Sequence, residues 1–241
     1  MGELRARIFS KFRDVLANFA LSSDAKVVRA ERLTYLSAQK ILRLERSLDD
    51  VIKEEIPGDV LEFGVALGGS SILLAKTAIR DGRSFHGFDV FATIPPPQST
   101  KDDQKSKNRY ETIASGQSEG IGGDIYYGYR EDLYSDVCRT FERHAMPVDG
   151  RSVALHKGLF EETWPEYCSD TVAFSHIDCD WYDPVKFSLR SVHSRLVVGG
   201  IIVLDDYHDY SGCKTATDEF LSHHPGYQKE DGPNVILRRL R

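Results

Sequence analysis

Thr171-Val-Ala-Phe-Ser-His-Ile-Asp178-Cys179-Asp180 is an apolar run that stops on aspartates, and Gly200-Ile-Ile-Val-Leu-Asp205-Asp206-Tyr207 repeats the pattern. A continuous apolar run of this length predicts a buried strand of a parallel sheet. Carboxylates are not left unpaired inside such a core. They are tolerated just past a strand's carboxyl end, where open α/β sheets bind ligands. Asp178 precedes Asp205 by 27 residues and Asp206 by 28, which leaves room for one helix and two loops, so the two strands are expected to be neighbours. Three carboxylates then converge on one crevice, a hard oxygen site suited to Mg²⁺, Mn²⁺ or Ca²⁺. Asp205-Asp206 alone would read as a helix N-cap pair; convergence with Asp178 favours the metal. Asp178 is the first choice for a catalytic base and Asp180 the second.

The alternation of strands and helices extends on both sides. Strands are predicted at 60–63, 84–88 and 152–156, a helix at about 70–80, another near 131–145, a third at 187–198 and a last at about 213–223. A terminal strand pair spans 226–229 and 234–239, with Gly232-Pro233 between. Behind the first strand stands Glu62-Phe-Gly64-Val65-Ala-Leu-Gly68-Gly69-Ser70. Glycines there let the backbone approach a ligand and present amide donors at a helix N-terminus. A phosphate-binding loop would need lysine where Ser70 stands, and a dinucleotide fingerprint would need glycine at Ala66. What remains is Glu62, the glycine bend, and Asp89 ending the second strand 25 residues beyond Gly64. A carboxylate there can accept hydrogen bonds from both ribose hydroxyls of an adenosine cofactor, and the whole pattern suggests S-adenosylmethionine (SAM). Lys157-Gly158 ends the third strand and is expected to border the adenine, with Phe160 stacking on it.

Composition narrows the class. The chain has 241 residues, 41% hydrophobic and 28% charged, with a net charge of −6. That is ordinary for one soluble domain and gives no electrostatic reason to expect nucleic acid. The four cysteines form no CxxC pair, and the start has no secretory h-region, so a reducing cytoplasm is expected. No apolar run approaches the ~20 residues of a membrane span.

Two additions flank the alternating core. Residues 1–56 read as helical. Leu4, Ile8, Phe12, Val15, Leu16 and Phe19 line one face of a basic amphipathic helix over 3–21, followed by a second helix at about 25–55. Residues 91–130 form a long insert with Pro95-Pro96-Pro97, a charged run at 101–109 expected to be solvated, and Tyr126, Tyr127 and Tyr129.

In Glu31-Arg-Leu-Thr34-Tyr35, Pro57-Gly-Asp-Val-Leu-Glu-Phe-Gly-Val-Ala-Leu-Gly-Gly69, Ile94-Pro-Pro-Pro97, His156-Lys-Gly-Leu-Phe160, Asp178-Cys-Asp-Trp181-Tyr182 and Gly199-Gly-Ile-Ile-Val-Leu-Asp-Asp-Tyr207, the chain resembles the macrocin O-methyltransferase family. These are metal-dependent SAM enzymes that methylate sugar hydroxyls of natural products. The resemblance implies a class I SAM-methyltransferase fold: α/β, Rossmann-like, with a mostly parallel seven-stranded sheet and an N-terminal helical addition. It also implies Mg²⁺ on Asp178, Asp205 and Asp206, and it places Glu31, Thr34 and Tyr35 near the crevice as a lid over SAM. Ala66-Leu67 stands where the family usually carries Trp-Arg, and the insert is rich in Gly and Tyr.

The expected protein is therefore an O-methyltransferase of residues 57–241 with a lid and oligomerisation segment at 1–56. Its acceptor is a sugar or glycosylated natural product, and its partner a second copy of itself. Trp181 and Tyr182 are candidates for the sugar site and His208 for a proton relay. His176 reads as a core residue. The alternatives are a catechol-type metal-dependent O-methyltransferase, a non-catalytic SAM-binding protein, and a nucleotide-dependent oxidoreductase, the last disfavoured by Ala66.

Overall fold

A computed structural model describes residues 13–241. The first part of the expected amphipathic helix, residues 3–12, lies outside the described residues; residues 13–20 are helical. The expected second helix is two. Helix α1 (Ser23–Ala30) is capped by the Ser22 side chain and α2 (Ala38–Lys53) by that of Ser37. Between them Arg32 takes a positive φ of 58° and residues 33–37 have no regular secondary structure. The apolar period alone hid this break, because Leu33 and Leu36 keep the spacing of a helix while packing from an irregular segment.

The remaining elements follow in alternation: β1 (Asp59–Phe63), α3 (Gly69–Arg80), β2 (Phe85–Asp89), α4 (Gln104–Ala114), α5 (Leu133–Arg143), β3 (Val153–Lys157), α6 (Phe160–Thr163), β4 (Val172–Ile177), α7 (Tyr182–His193), β5 (Leu196–Leu204), α8 (Ser211–His223), β6 (Tyr227–Glu230) and β7 (Val235–Arg239). The sheet order is β3-β2-β1-β4-β5-β7-β6. The first five strands are parallel, and β7 runs antiparallel between β5 and β6. The seven-stranded, mostly parallel α/β sheet is the architecture the sequence predicts.

Side-chain alternation divides each strand between two cores. In β5, Ile201 and Val203 enter one layer and Ile202 and Leu204 the other. The first layer holds α1, α2, α3 and α5. Ile41, Leu44, Leu48 and Val51 recur along α2 at helical spacing and are buried against it, each contributing roughly 1.5–3 kcal/mol. The second layer holds α7 and α8. Helix α7 begins and ends about five residues before the expected 187–198, since Leu196–Val198 already belong to β5. Gly199, at φ +86°, carries that strand past Ile56, whose side chain would meet a Cβ at 2.5 Å.

β4 and β5 are neighbours in register Ile177↔Leu204. That register puts Asp178 and Asp205 side by side at the carboxyl edge.

Candidate active site

The turn after β1 is held from three sides. Gly64, at φ +94°, brings its Cα against the Asp178 carbonyl, 1.9 Å from where a Cβ would stand, so any side chain there would separate β1 from β4. Asp89 accepts from the Val65 and Ala66 amides at 2.7 and 3.0 Å and from the Phe91 amide at 2.6 Å. Burial pushes its carboxyl up, against the lowering pull of those amides. Gly69 donates to the Leu33 carbonyl at 3.0 Å, and a Cβ on Gly69 would meet that oxygen at 2.4 Å. The irregular segment 33–36 therefore lies directly on the turn.

At the β4–β5 edge, one carboxylate oxygen each from Asp178, Asp205 and Asp206 lie within 4.8 Å of one another. The Asp205 Oδ1 is buried without a hydrogen-bond partner among the described residues. Its other oxygen accepts from Lys40 Nζ at 2.7 Å, and Lys40 also reaches Asp209 at 2.9 Å. Burial, then repulsion by Asp205 and Asp206, holds the Asp178 carboxyl well above the usual range. Asp206 is pushed up to about 6 by burial and by Asp205. Asp180 is raised by burial and by Asp206, to whose Oδ2 its own amide donates at 3.2 Å. Its φ of 59° is a left-handed conformation uncommon for a side-chain-bearing residue. Buried like charges so close are unfavourable unless a cation joins them, and three clustered carboxylates, with Asp205 Oδ1 left unpartnered, suit a hard dication.

Two cavities open on this edge. One, of about 400 Å³, is lined by Val90, Ile94, Pro95, Leu159, Phe160 and Trp181 among others. The second, of about 330 Å³, is lined by Thr34, Tyr35, Val65, Ser70, Lys105 and Arg109 together with the aspartates. Gly64, Asp89, Tyr127, Asp178 and Asp180 border both, so Tyr127 of the insert stands at the partition. An elongated ligand with an apolar end and a charged end fits such a pair.

Comparison with known proteins identifies the family. The family model described as macrocin-O-methyltransferase (TylF) matches residues 24–124 and 130–228. The chain belongs to the macrocin-O-methyltransferase family. It is a SAM-dependent O-methyltransferase. It is 26% identical over 194 residues to demethyldecarbamoylnovobiocin O-methyltransferase of Streptomyces niveus, covering 78% of this chain and 67% of that one. It is 25% identical over 200 residues to mycinamicin III 3''-O-methyltransferase of Micromonospora griseorubida, covering 79% and 71%. The solved structure of the O-methyltransferase NovP shares the fold at a TM-score of 0.71 and 23% identity, covering 87% of this chain and 83% of that one.

In this methyltransferase the structure gathers most of the residues the sequence singles out. Thr34, Tyr35, Gly64, Val65, Ser70, Asp89, Phe160, Asp178, Asp180, Trp181, Asp205 and Asp206 border the cavities. Several others stand elsewhere. Glu62 is fully buried beneath α3, bonded to the Ser71 hydroxyl and, at 2.7 Å, to His176 Nδ1. It shares strand parity with Val60 of the first layer and borders neither cavity, so it braces the turn from within the core; His176 is the core residue expected. Gly68 abuts Val137 and Phe141, and Gly69 serves the contact with Leu33. Gly158 donates to the Asp89 carbonyl at 3.0 Å.

Lys157 is exposed, 5.6 Å above the Tyr134 ring. Glu31 pairs with His144 at 3.2 Å and Arg143 at 3.7 Å, outside the cleft. Tyr182 is buried, bonded to Glu219 and Lys101. His208 is exposed on the turn whose Asp209 and Tyr210 amides bond the Asp206 carbonyl, and that turn sends Tyr210 inward in its place.

The sequence reading missed Lys40, Lys105, Arg109, Tyr127 and Tyr210. The run 101–109 is not simply solvated: Asp102 is buried, its Oδ1 accepting from the Tyr182 amide at 2.9 Å, and Lys105 and Arg109 face the second cavity. A Lys-x-x-x-Arg spacing on one helix face was the available signal.

Proposed function

We propose that this methyltransferase moves the SAM methyl to a hydroxyl of a sugar or a sugar-bearing natural product, with a divalent cation, Mg²⁺ first among them, held by Asp178, Asp205 and Asp206. The observation that carries it is the cluster of three carboxylate oxygens with the unpartnered Asp205 Oδ1. The relatives' printed substrates, novobiocin and mycinamicin precursors, support the acceptor class.

A dication at this place lowers the pKa of a hydroxyl bound to it. The chain supplies the rest. Ser70 and Thr34, beside the N-terminus of α3, receive the methionine end of SAM, whose carboxylate the helix dipole favours. Asp89 keeps lone pairs for the ribose beside the three amides it already accepts. Phe160 and Leu159 pack on the adenine. Asp180 borders both cavities outside the three-oxygen cluster, so it is better placed than Asp178 to take the hydroxyl proton as the oxygen attacks the methyl carbon and the C–S bond breaks. Trp181, fixed by its indole N–H to the Pro95 carbonyl at 3.0 Å, Tyr126 and Tyr127 exclude water from the reacting pair. Segment 31–37 is the lid, with Tyr35 as its cleft-facing residue.

Among the described residues no helix is long and apolar enough to cross a membrane. The unpaired cysteines suit a reducing cytoplasm, and the exposed Leu16 and Phe19 suit a homo-oligomer. The test is a methyl-transfer screen with labelled SAM against diol-bearing sugars and catechols, with Mg²⁺ or with chelator. Transfer to a sugar that stops on chelation is expected; undiminished transfer after exhaustive chelation, or transfer to catechols alone, overturns the reading.

A further inference from the structure

Lys105 and Arg109 lie one turn apart on α4 and border the same cavity as Asp178 and Asp180. Among the described residues, the other cation bordering it, Lys40, is paired with Asp205 and Asp209. Arg109 is different. Among the described residues it makes no ion pair and no hydrogen bond; its guanidinium stands over the Tyr126 ring at 5.5 Å. Resting on a ring face leaves all five N–H donors uncommitted. Lys105 rests likewise over Tyr210 at 4.7 Å and donates one proton to the Asp209 carbonyl. A half-buried guanidinium without an acceptor is unfavourable until a ligand brings one.

We propose that Arg109 and Lys105 seat a phosphate group of the acceptor, so that the substrate class is a phosphorylated sugar, foremost a nucleoside-diphosphate sugar. The inference rests on the sugar-methyltransferase reading above and narrows it. A planar fork and a point charge on one helix face match the two charges and several oxygens of a phosphate better than the single charge of a carboxylate. The acidic floor of Asp178, Asp180, Asp205, Asp206 and Asp209 repels an anion, and Lys40 beside it is already paired with Asp205 and Asp209, which directs the phosphate to the α4 side and leaves the sugar diol toward the aspartates. The cofactor carboxylate has its own seat at Ser70 and Thr34, so it does not need Arg109.

The test is calorimetric binding to the protein loaded with S-adenosylhomocysteine, using UDP-glucose, inorganic pyrophosphate, glucuronic acid and methyl glucoside as probes. The proteins are wild type, Arg109→Gln, Lys105→Gln and the double variant, each checked for native circular dichroism. UDP-glucose and pyrophosphate should bind wild type, weaken about tenfold or more in each single variant, and weaken further in the double. Methyl glucoside should be indifferent to the substitutions. Equal binding of UDP-glucose and methyl glucoside, no effect of the substitutions, or tighter binding of glucuronic acid overturns the phosphate seat. An equal loss of S-adenosylhomocysteine affinity assigns Arg109 to the cofactor and also overturns it. Failure of wild type to bind S-adenosylhomocysteine at all strikes the methyltransferase reading itself, so the two failures are distinct.

Discussion

At the residue scale, the Asp89 carboxylate satisfies three buried amides, those of Val65, Ala66 and Phe91, beside the ribose contact proposed for it. Asp89→Ala should therefore weaken SAM binding and also destabilise the fold, since each orphaned buried donor costs about 1–3 kcal/mol. Calorimetric unfolding without ligand checks this; an unchanged Tm would reduce Asp89 to a ribose ligand only. Asp206 makes a second prediction. Its carboxyl is held up at about 6 by burial and by Asp205, above the unfolded value near 4. Between those values the folded chain binds more protons than the unfolded one, so cation-free stability falls as pH rises through this window. A bound dication removes the penalty. The rise in Tm on adding Mg²⁺ should be small at pH 5 and larger at pH 7.5, measured by scanning fluorimetry. A rise of equal size at both would mean that the ion binds away from these carboxylates.

At the scale of elements, the decisive contact joins two pieces distant in sequence: the irregular segment 33–36 on the glycine turn. Gly69→Ala would push a methyl into the Leu33 carbonyl and Thr34. The expected outcome is at least a tenfold loss of SAM affinity with the far-ultraviolet spectrum retained; wild-type affinity would show that the segment does not shape the cofactor site. This contact also marks what the sequence could not reveal. The strands were legible because Val172–Ile177 is mostly apolar and Ile201–Leu204 wholly so, and Asp178, Asp205 and Asp206 were legible because they end those runs. Helix α4 was not, since of its residues only Ser106 and Ile113 are buried and no apolar period announces it. Its role lies in Lys105 and Arg109, which look like surface charges until the fold turns them toward the aspartates. Glu62 and His208 each stand beside a diagnostic motif, but the fold buries Glu62 against Ser71 and His176, and the Asp206–Tyr210 turn leaves His208 exposed.

At the scale of the whole molecule, the N-terminal helical stretch leaves Leu16 54% and Phe19 76% exposed, large apolar surface for a chain acting alone. Leu16→Asp with Phe19→Asp should shift the protein to a smaller mass in light scattering while SAM binding persists; an unchanged mass would remove this face from any subunit contact. At this scale the proposed cation site lies where the paired ends of β4 and β5 bring Asp178, Asp205 and Asp206 together. The most direct measurement is calorimetric titration of Mg²⁺ into the protein loaded with S-adenosylhomocysteine, for wild type and Asp205→Asn. The account predicts one saturable site per chain in wild type and its loss in the variant, with S-adenosylhomocysteine affinity nearly unchanged. Absence of Mg²⁺ binding in wild type, or equal binding in Asp205→Asn, would contradict it.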